Sequence, residues 1–367
     1  MLDCVLPLRA DAPFVFLALL MNLGLRCALQ LVNWLSKRTV YLRLKVHLPR
    51  QPLIYILLMI QSMYKERRTS ITQWVPLRGL RYHVRTWGQP VPGSTPLVLA
   101  HGWMDVAASW QFMVDALSEA FANGRQIIAP DWRGYGLTEG PPTDCYWLPD
   151  YLGDLDALLD VLCPGQTIDL VGHSMGGNVV MHYAGCRPER ISRLVNLEGF
   201  GMPATRAAQA PKRLTQWLDE LKALKNGESN LKAYPDAAGV AARLMKTNKR
   251  LTPDKAHWLA QHWAAPNDAG EWCILGDAAH KVINPYISRV EEILEIYKRI
   301  SAPTLFIEAS DDSLSGWWEG RFTLAEFHER LQAVPDLRKG LVPDAGHMLH
   351  HDQPQVLADM LEDFLQT

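Results

Sequence analysis

Six cysteines, at positions 4, 27, 145, 163, 186 and 273, are scattered along the chain without one C-x-x-C pair. That argues against a zinc framework or a disulfide scaffold and reads as reduced, separate thiols. Charge of one sign is also lacking. The formal net charge is −2 and 21% of residues are charged, so nothing points to nucleic acid as a partner. No internal repeat or low-complexity tract appears. No apolar run reaches the ~18 residues of a clear membrane span; the longest, 13–21 and 53–60, fall short of it. What remains is a chain of 367 residues, enough for one enlarged domain or two.

The first 62 residues lack acid. They hold seven Lys/Arg against only Asp3 and Asp11, which leaves 30 basic and 37 acidic side chains for the rest. Extending the first apolar run to Leu35 takes in Asn22, Arg26, Gln30 and Asn33. A poor span, an amphipathic surface helix, a signal-like segment without a convincing cleavage site, or translated upstream sequence ahead of Met63 all fit this composition. We expect an N-terminal extension of uncertain status over 1–62, membrane association through that extension only, and a cytoplasmic location for the remainder.

From residue 69 onward the pattern is regular. Thr69 to Leu77 and Leu80 to Trp87 alternate and predict an antiparallel hairpin. Pro96 to Ala100, Gln126 to Pro130, Thr167 to Val171 and Ile191 to Leu197 predict further strands, with helices over about 106–120, 151–162 and 178–186 between them. Such alternation predicts a mainly parallel sheet with right-handed crossovers. Residues 201 to about 300 carry no convincing strand and predict helices near 212–225, 237–246, 253–263 and 289–300. The sheet resumes at Pro303 to Ile307, and a helix, a strand near 338–342 and a last helix over 354–365 close the chain. The expected organisation is therefore a core from 63–200 and 300–367 with a helical cap over 201–299, inserted after the sixth core strand.

The chemistry concentrates at Gly172-His173-Ser174-Met175-Gly176, a G-x-S-x-G set between a strand and a helix. In that setting the turn is so sharp that flanking side chains would clash, hence the glycines, and Ser174 is thrust out at the edge of the sheet. The following helix aims its N-terminus at any anion forming there. A serine hydroxyl needs an adjacent base. Asp344-Ala345-Gly346-His347-Met348 follows the last strand and offers His347; His350 and His351 read as polar exterior. The base needs an acid. Asp311 and Asp312 follow the strand 303–307, and a common P-(five residues)-G-x-x-D spacing, with Ala309 in the glycine's place, points to Asp312. Asp311 and Glu198, at the end of the previous strand, remain rivals. Two N–H donors are needed for the oxyanion: the amide of Met175, and that of Trp103 in His101-Gly102-Trp103-Met104-Asp105. The Trp103 side chain lines an acyl pocket or simply packs. His101 and His173 read as packed, hydrogen-bonded residues, and Asp131 and Arg133 as residues that hold their own loop.

His-Gly-Trp-Met-Asp, Asp-Trp-Arg-Gly-Tyr-Gly, Gly-His-Ser-Met-Gly-Gly and Ala-Gly-His-Met stand in the order of the α/β-hydrolase-fold serine hydrolases, which the chain resembles over 69–200 and 300–367. Within them it looks most like the serine hydrolase-like proteins, on Gly102 to Asp105 and Lys246 to Thr252. The resemblance implies an α/β-hydrolase fold and a Ser174–His347–Asp312 triad, with Trp103 and Met175 as oxyanion donors. It implies carboxylic-ester hydrolysis through an acyl-enzyme, without metal or organic cofactor. A C–C bond hydrolase of diketone-type substrates, or a ligand receptor on the same scaffold, are the alternatives. Relatives with an aspartate nucleophile fit less well, because Ser occupies position 174. Trp217, Trp258, Trp263, Trp272, Trp317 and Trp318 fall in the cap or beside the acid loop, so the expected substrate is a small apolar or aromatic ester.

Overall fold

The computed structural model describes residues 63–366; the expectations for 1–62 lie outside them. Ile71–Leu77 (β1) and Leu80–Trp87 (β2) form the hairpin, turned by Arg78-Gly79 with both residues at positive φ. Leu97–Ala100 (β3), Ile127–Pro130 (β4), Ile168–His173 (β5) and Ile191–Leu197 (β6) follow. Ala233–Tyr234 (β7), Ala264–Pro266 (β8) and Trp272–Ile274 (β9) belong to the insertion, and Thr304–Ala309 (β10) and Leu337–Val342 (β11) return to the core. The main sheet runs β1-β2-β4-β3-β5-β6-β10-β11, antiparallel at the hairpin and where β2 meets β4, parallel from β4 onward. This is the α/β-hydrolase architecture expected from the sequence.

The central strands are predominantly apolar because both faces are covered. Successive side chains alternate between two cores. Val98, Ala100, Ile168, Leu170 and Phe306 enter one; Leu97, Leu99, Val171, Leu305 and Ile307 enter the other. The helices Leu148–Leu162 and Met175–Cys186 cover the first face; Gln111–Ala116 and Pro354–Gln366 cover the second. The helix expected over 106–120 is broken. A 3₁₀ turn at Ala107–Trp110 leads into Gln111–Ala116, and Leu117 turns to ψ 148° before Ser118 caps a new helix, Glu119–Asn123.

The insertion differs from expectation in one respect. Its helices Ala210–Lys225, Ala237–Thr247, Pro253–Trp263 and Val290–Lys298 are present, but it also holds a three-stranded antiparallel sheet, β7-β9-β8. These strands are two or three residues long, too short for an alternating pattern to show. The insertion packs on the core through a third cluster: Val106, Ala108 and Phe112 from the core meet Val240, Leu244, Leu259 and Trp263. Among the described residues no helix is long and apolar enough to cross a membrane.

Candidate active site

Ser174 sits between β5 and the helix Met175–Cys186 at φ 55°, ψ −116°. A Cβ on Gly172 would lie 2.4 Å from the Gly176 carbonyl oxygen, and one on Gly176 would lie 2.3 Å from that of Ala100. Only glycine fits either place. Holding a serine in this region costs about 1–3 kcal/mol. Burial of a single aliphatic side chain contributes about as much, and Leu170, Val171, Val179 and Val180 around the turn are all fully buried.

His347 follows β11, after the left-handed Asp344. Its Nε2 accepts from the Ser174 hydroxyl at 2.9 Å. Its Nδ1–H donates to Glu198 Oε2 at 3.2 Å. The carboxylate bonded to His347 is therefore that of Glu198, and not the expected Asp312. Asp312 caps the helix Ser313–Trp318, accepting from the Ser315 amide at 2.8 Å. Asp311 pairs with Arg250 of the insertion at 2.7 Å. Glu198 ends β6 at φ 55°, is 2% exposed, and reaches toward β10, where its Oε1 accepts from the Ala309 amide at 2.8 Å. The sequence carried a signal for this. Asn196 closes a turn around the glutamate through two bonds of 2.9 Å to the Gly199 backbone, and Ala309 breaks the spacing that pointed to Asp312.

Burial pushes the Glu198 carboxyl up to about 8; Glu308, Asp312 and Asp311 add to the rise and the Ala309 N–H works against it. Burial also pushes the His347 imidazole down, to about 4. The imidazole is thereby kept in its neutral, proton-accepting form, with an ionisable carboxyl on its far nitrogen.

Met175 is the first residue of its helix, so its N–H has no acceptor within that helix. A Cβ on Gly102 would lie 3.1 Å from the Ser174 Cβ, so the loop carrying the Trp103 amide passes directly beside Ser174. The Trp103 side chain is 52% exposed and donates from Nε1 to the His280 carbonyl at 3.4 Å. His101 is packed as expected, with Nδ1–H on the Gly102 carbonyl and Nε2 accepting from the Trp132 amide. Asp131 holds its loop by accepting from the Ala107 and Leu137 amides and by bonding His83. Arg133 forks onto Asp154 of the helix Leu148–Leu162. His350 and His351, expected outside, are buried and share the Ser109 hydroxyl.

The six tryptophans do not gather at one mouth. Trp258, Trp263 and Trp272 pack in the cluster that seats the insertion, and Trp318 lies against the first core. Trp317 is half exposed and meets the His347 ring edge-on, with ring centroids 4.3 Å apart. An open cleft of about 790 Å³ between Arg133, Tyr146 and Asp277 is lined by none of Ser174, His347 or Glu198.

A family model described as the α/β hydrolase fold matches residues 95–354. The chain is 24% identical over 301 residues to a serine hydrolase-like protein of Danio rerio, covering 80% of this chain and 86% of that one. It is 26% identical over 276 residues to a 2-(acetamidomethylene)succinate hydrolase of Mesorhizobium japonicum, covering 75% of this chain and 90% of that one. Among solved structures, a thioesterase domain from the curacin biosynthetic pathway superposes with a TM-score of 0.66 at 24% identity, covering 80% of this chain and 99% of that one.

Proposed function

The chain belongs to the α/β hydrolase fold family, and we propose that it cleaves carboxylic esters through an acyl-enzyme, with Ser174 as nucleophile, His347 as base and Glu198 as the acid that orients it. The observation that carries this reading is the unbroken line from the Ser174 hydroxyl to His347 Nε2 and from His347 Nδ1 to Glu198. The hydroxyl proton passes to Nε2 as Oγ attacks the carbonyl carbon. The Glu198 carboxylate stabilises the imidazolium that forms. The Met175 and Trp103 amides take the oxyanion. The imidazolium gives its proton to the leaving alcohol, and water repeats the sequence on the acyl-enzyme. These groups supply every proton transfer and charge the cycle needs.

Trp317 beside His347 and the half-exposed Trp103 favour small to medium apolar or aromatic acyl groups. A fluorophosphonate is expected to label Ser174. Ser174→Ala is expected to keep the fold and lose turnover by a factor on the order of 10⁶; retained esterase activity in that variant would sink the reading. A panel of acetyl, butyryl, octanoyl, palmitoyl and benzoyl esters beside a diketone-type substrate sorts ester from C–C bond cleavage. An optimum at palmitoyl would refute the acyl preference.

A further inference from the structure

Behind the nucleophile lies a second group of buried titratable side chains that acyl transfer does not use. His173, the last residue of β5, immediately precedes Ser174. Its Nε2–H donates to the His347 carbonyl at 2.7 Å. Its ring stands 4.7 Å from that of His347 and 4.5 Å from that of His350. A Cβ on Gly102 would come to 3.0 Å from its Nδ1, so the loop bearing the Trp103 amide crosses the same ring. One imidazole thus touches the three segments whose spacing acyl transfer depends on: the serine turn, the base loop and the oxyanion loop.

The surroundings select its tautomer. Nε2 carries the proton, because a carbonyl can only accept. Nδ1 is bare, buried and without a hydrogen-bond partner, as are Asp105 Oδ2 and His350 Nδ1. Burial, reinforced by His347, pushes the His173 imidazole down to about 3, so it stays neutral. One ligating atom each of Asp105, His173 and His350 lies within 4.8 Å of the others. A tetrahedral first-row ion with ~2.1 Å bonds would hold such atoms about 3.4 Å apart, and at most 4% of any of the three residues is exposed for its entry. The spacing and the burial fit a hydrogen-bonding role better than a metal centre.

We propose that His173 is a positioning residue: the bond from its Nε2–H to the His347 carbonyl sets the distance between base and nucleophile. The proposal rests on the serine-hydrolase reading above. Displacing a reacting group by ~1 Å costs about 10²-fold in rate, and this bond is a direct tether between the base loop and the serine strand.

The test compares His173→Gln, whose amide nitrogen reaches the Nε2 position, with His173→Asn, which reaches only the Nδ1 position, and His173→Phe, which keeps a ring and loses the donor. The Gln variant is expected to stay within a few-fold of wild type. The Asn and Phe variants are expected to lose kcat by about 10²-fold with little change in KM, and fluorophosphonate labelling of Ser174 to slow in parallel. If the ring mattered only for packing, Phe would come nearest to wild type and the losses would follow thermal midpoints; that ranking overturns the proposal. Should the Phe variant fail to fold, the Gln and Asn pair still decides, and equal rates in the two would overturn it. A wild type that does not label at Ser174 removes the hydrolase reading itself, and the tether with it. One equivalent of a first-row metal retained by wild type and absent from Asp105→Asn would also overturn the tether, in favour of a metal centre.

Discussion

Two loops at neighbouring strand ends carry carboxylates, and they use them differently. The loop after β6 presents Glu198, almost fully buried, with one oxygen on the Ala309 amide and the other on His347. The loop after β10 presents Asp311 and Asp312 toward solvent, one paired with Arg250 across to the insertion, the other capping a six-residue helix. An exposed carboxylate has water and mobile partners to satisfy it, so its pull on any one imidazole is screened. A buried one has few partners, and each bond it makes is strong and directional. The carboxylate able to hold a base in one tautomer is the one that cannot turn elsewhere.

The sharpest way to break this contrast is Glu198→Gln. It leaves shape and burial nearly unchanged and removes the charge, and kcat is expected to fall by about 10⁴-fold, as when a triad imidazole is left in the wrong tautomer; steady-state kinetics on the preferred ester checks it. If the loss is only a few-fold, the β6 loop does not steer the base. The pH profile comes next. The Glu198 carboxyl is pushed up to about 8, so its ionised, working form accumulates only as pH climbs through that region. Activity is expected to rise from pH 6 to 9, and the rise should vanish in Glu198→Gln.

Stability should run the other way on the part of that window below pH 8. The folded state binds a proton at Glu198 that the unfolded chain releases near its ordinary value, so this group's contribution to stability falls between about 4.5 and 8. Urea midpoints measured alongside activity would show the opposition, and a parallel rise of both would contradict it.

Smaller effects belong to the β10 loop. Asp312→Ala removes a helix cap and is expected to cost about 1 kcal/mol of stability with turnover little changed, read by thermal melting and kinetics together. A loss of turnover comparable to that of Glu198→Gln would restore Asp312 as the acid. Asp311→Asn releases Arg250 from an exposed pair and is expected to cost less than about 1 kcal/mol, with an effect that shrinks in high salt.

The same contrast governs how much of the fold and site is legible in the sequence. Strand β3 is a continuous apolar run and β5, β6 and β10 are rich in apolar residues, and the glycines around Ser174 answer the steric demand of one sharp strand-to-helix turn. Order along the chain singles out Ser174 and His347, which the fold brings to 2.9 Å of one another. The acid was harder. Strands β3, β4, β6, β10 and β11 are each followed by an acidic residue, Asp105, Asp131, Glu198, Asp311 and Asp344, and choosing between Glu198 and the aspartate doublet requires knowing which one is roofed over. That roof is made from residues far away in sequence, among them Ala309 and the His347 loop. His350 and His351 lie inside, against expectation, for the same reason: a polar pair beside a helix start gives no hint that Ser109 bonds both of them. The short strands β7 to β9 exist by pairing with one another, with too few residues each to leave a period.

The perpendicular contact between Trp317 and His347 has an optical consequence. An imidazolium quenches a neighbouring indole more strongly than a neutral imidazole does. Emission from this one tryptophan therefore follows the protonation of the base from moment to moment. With Trp317→Phe as the blank, the difference in fluorescence isolates that signal from the other twelve tryptophans of the chain. A stopped-flow trace of that difference, taken during a single turnover, would time the proton's arrival on His347 and its departure, separately from the appearance of product.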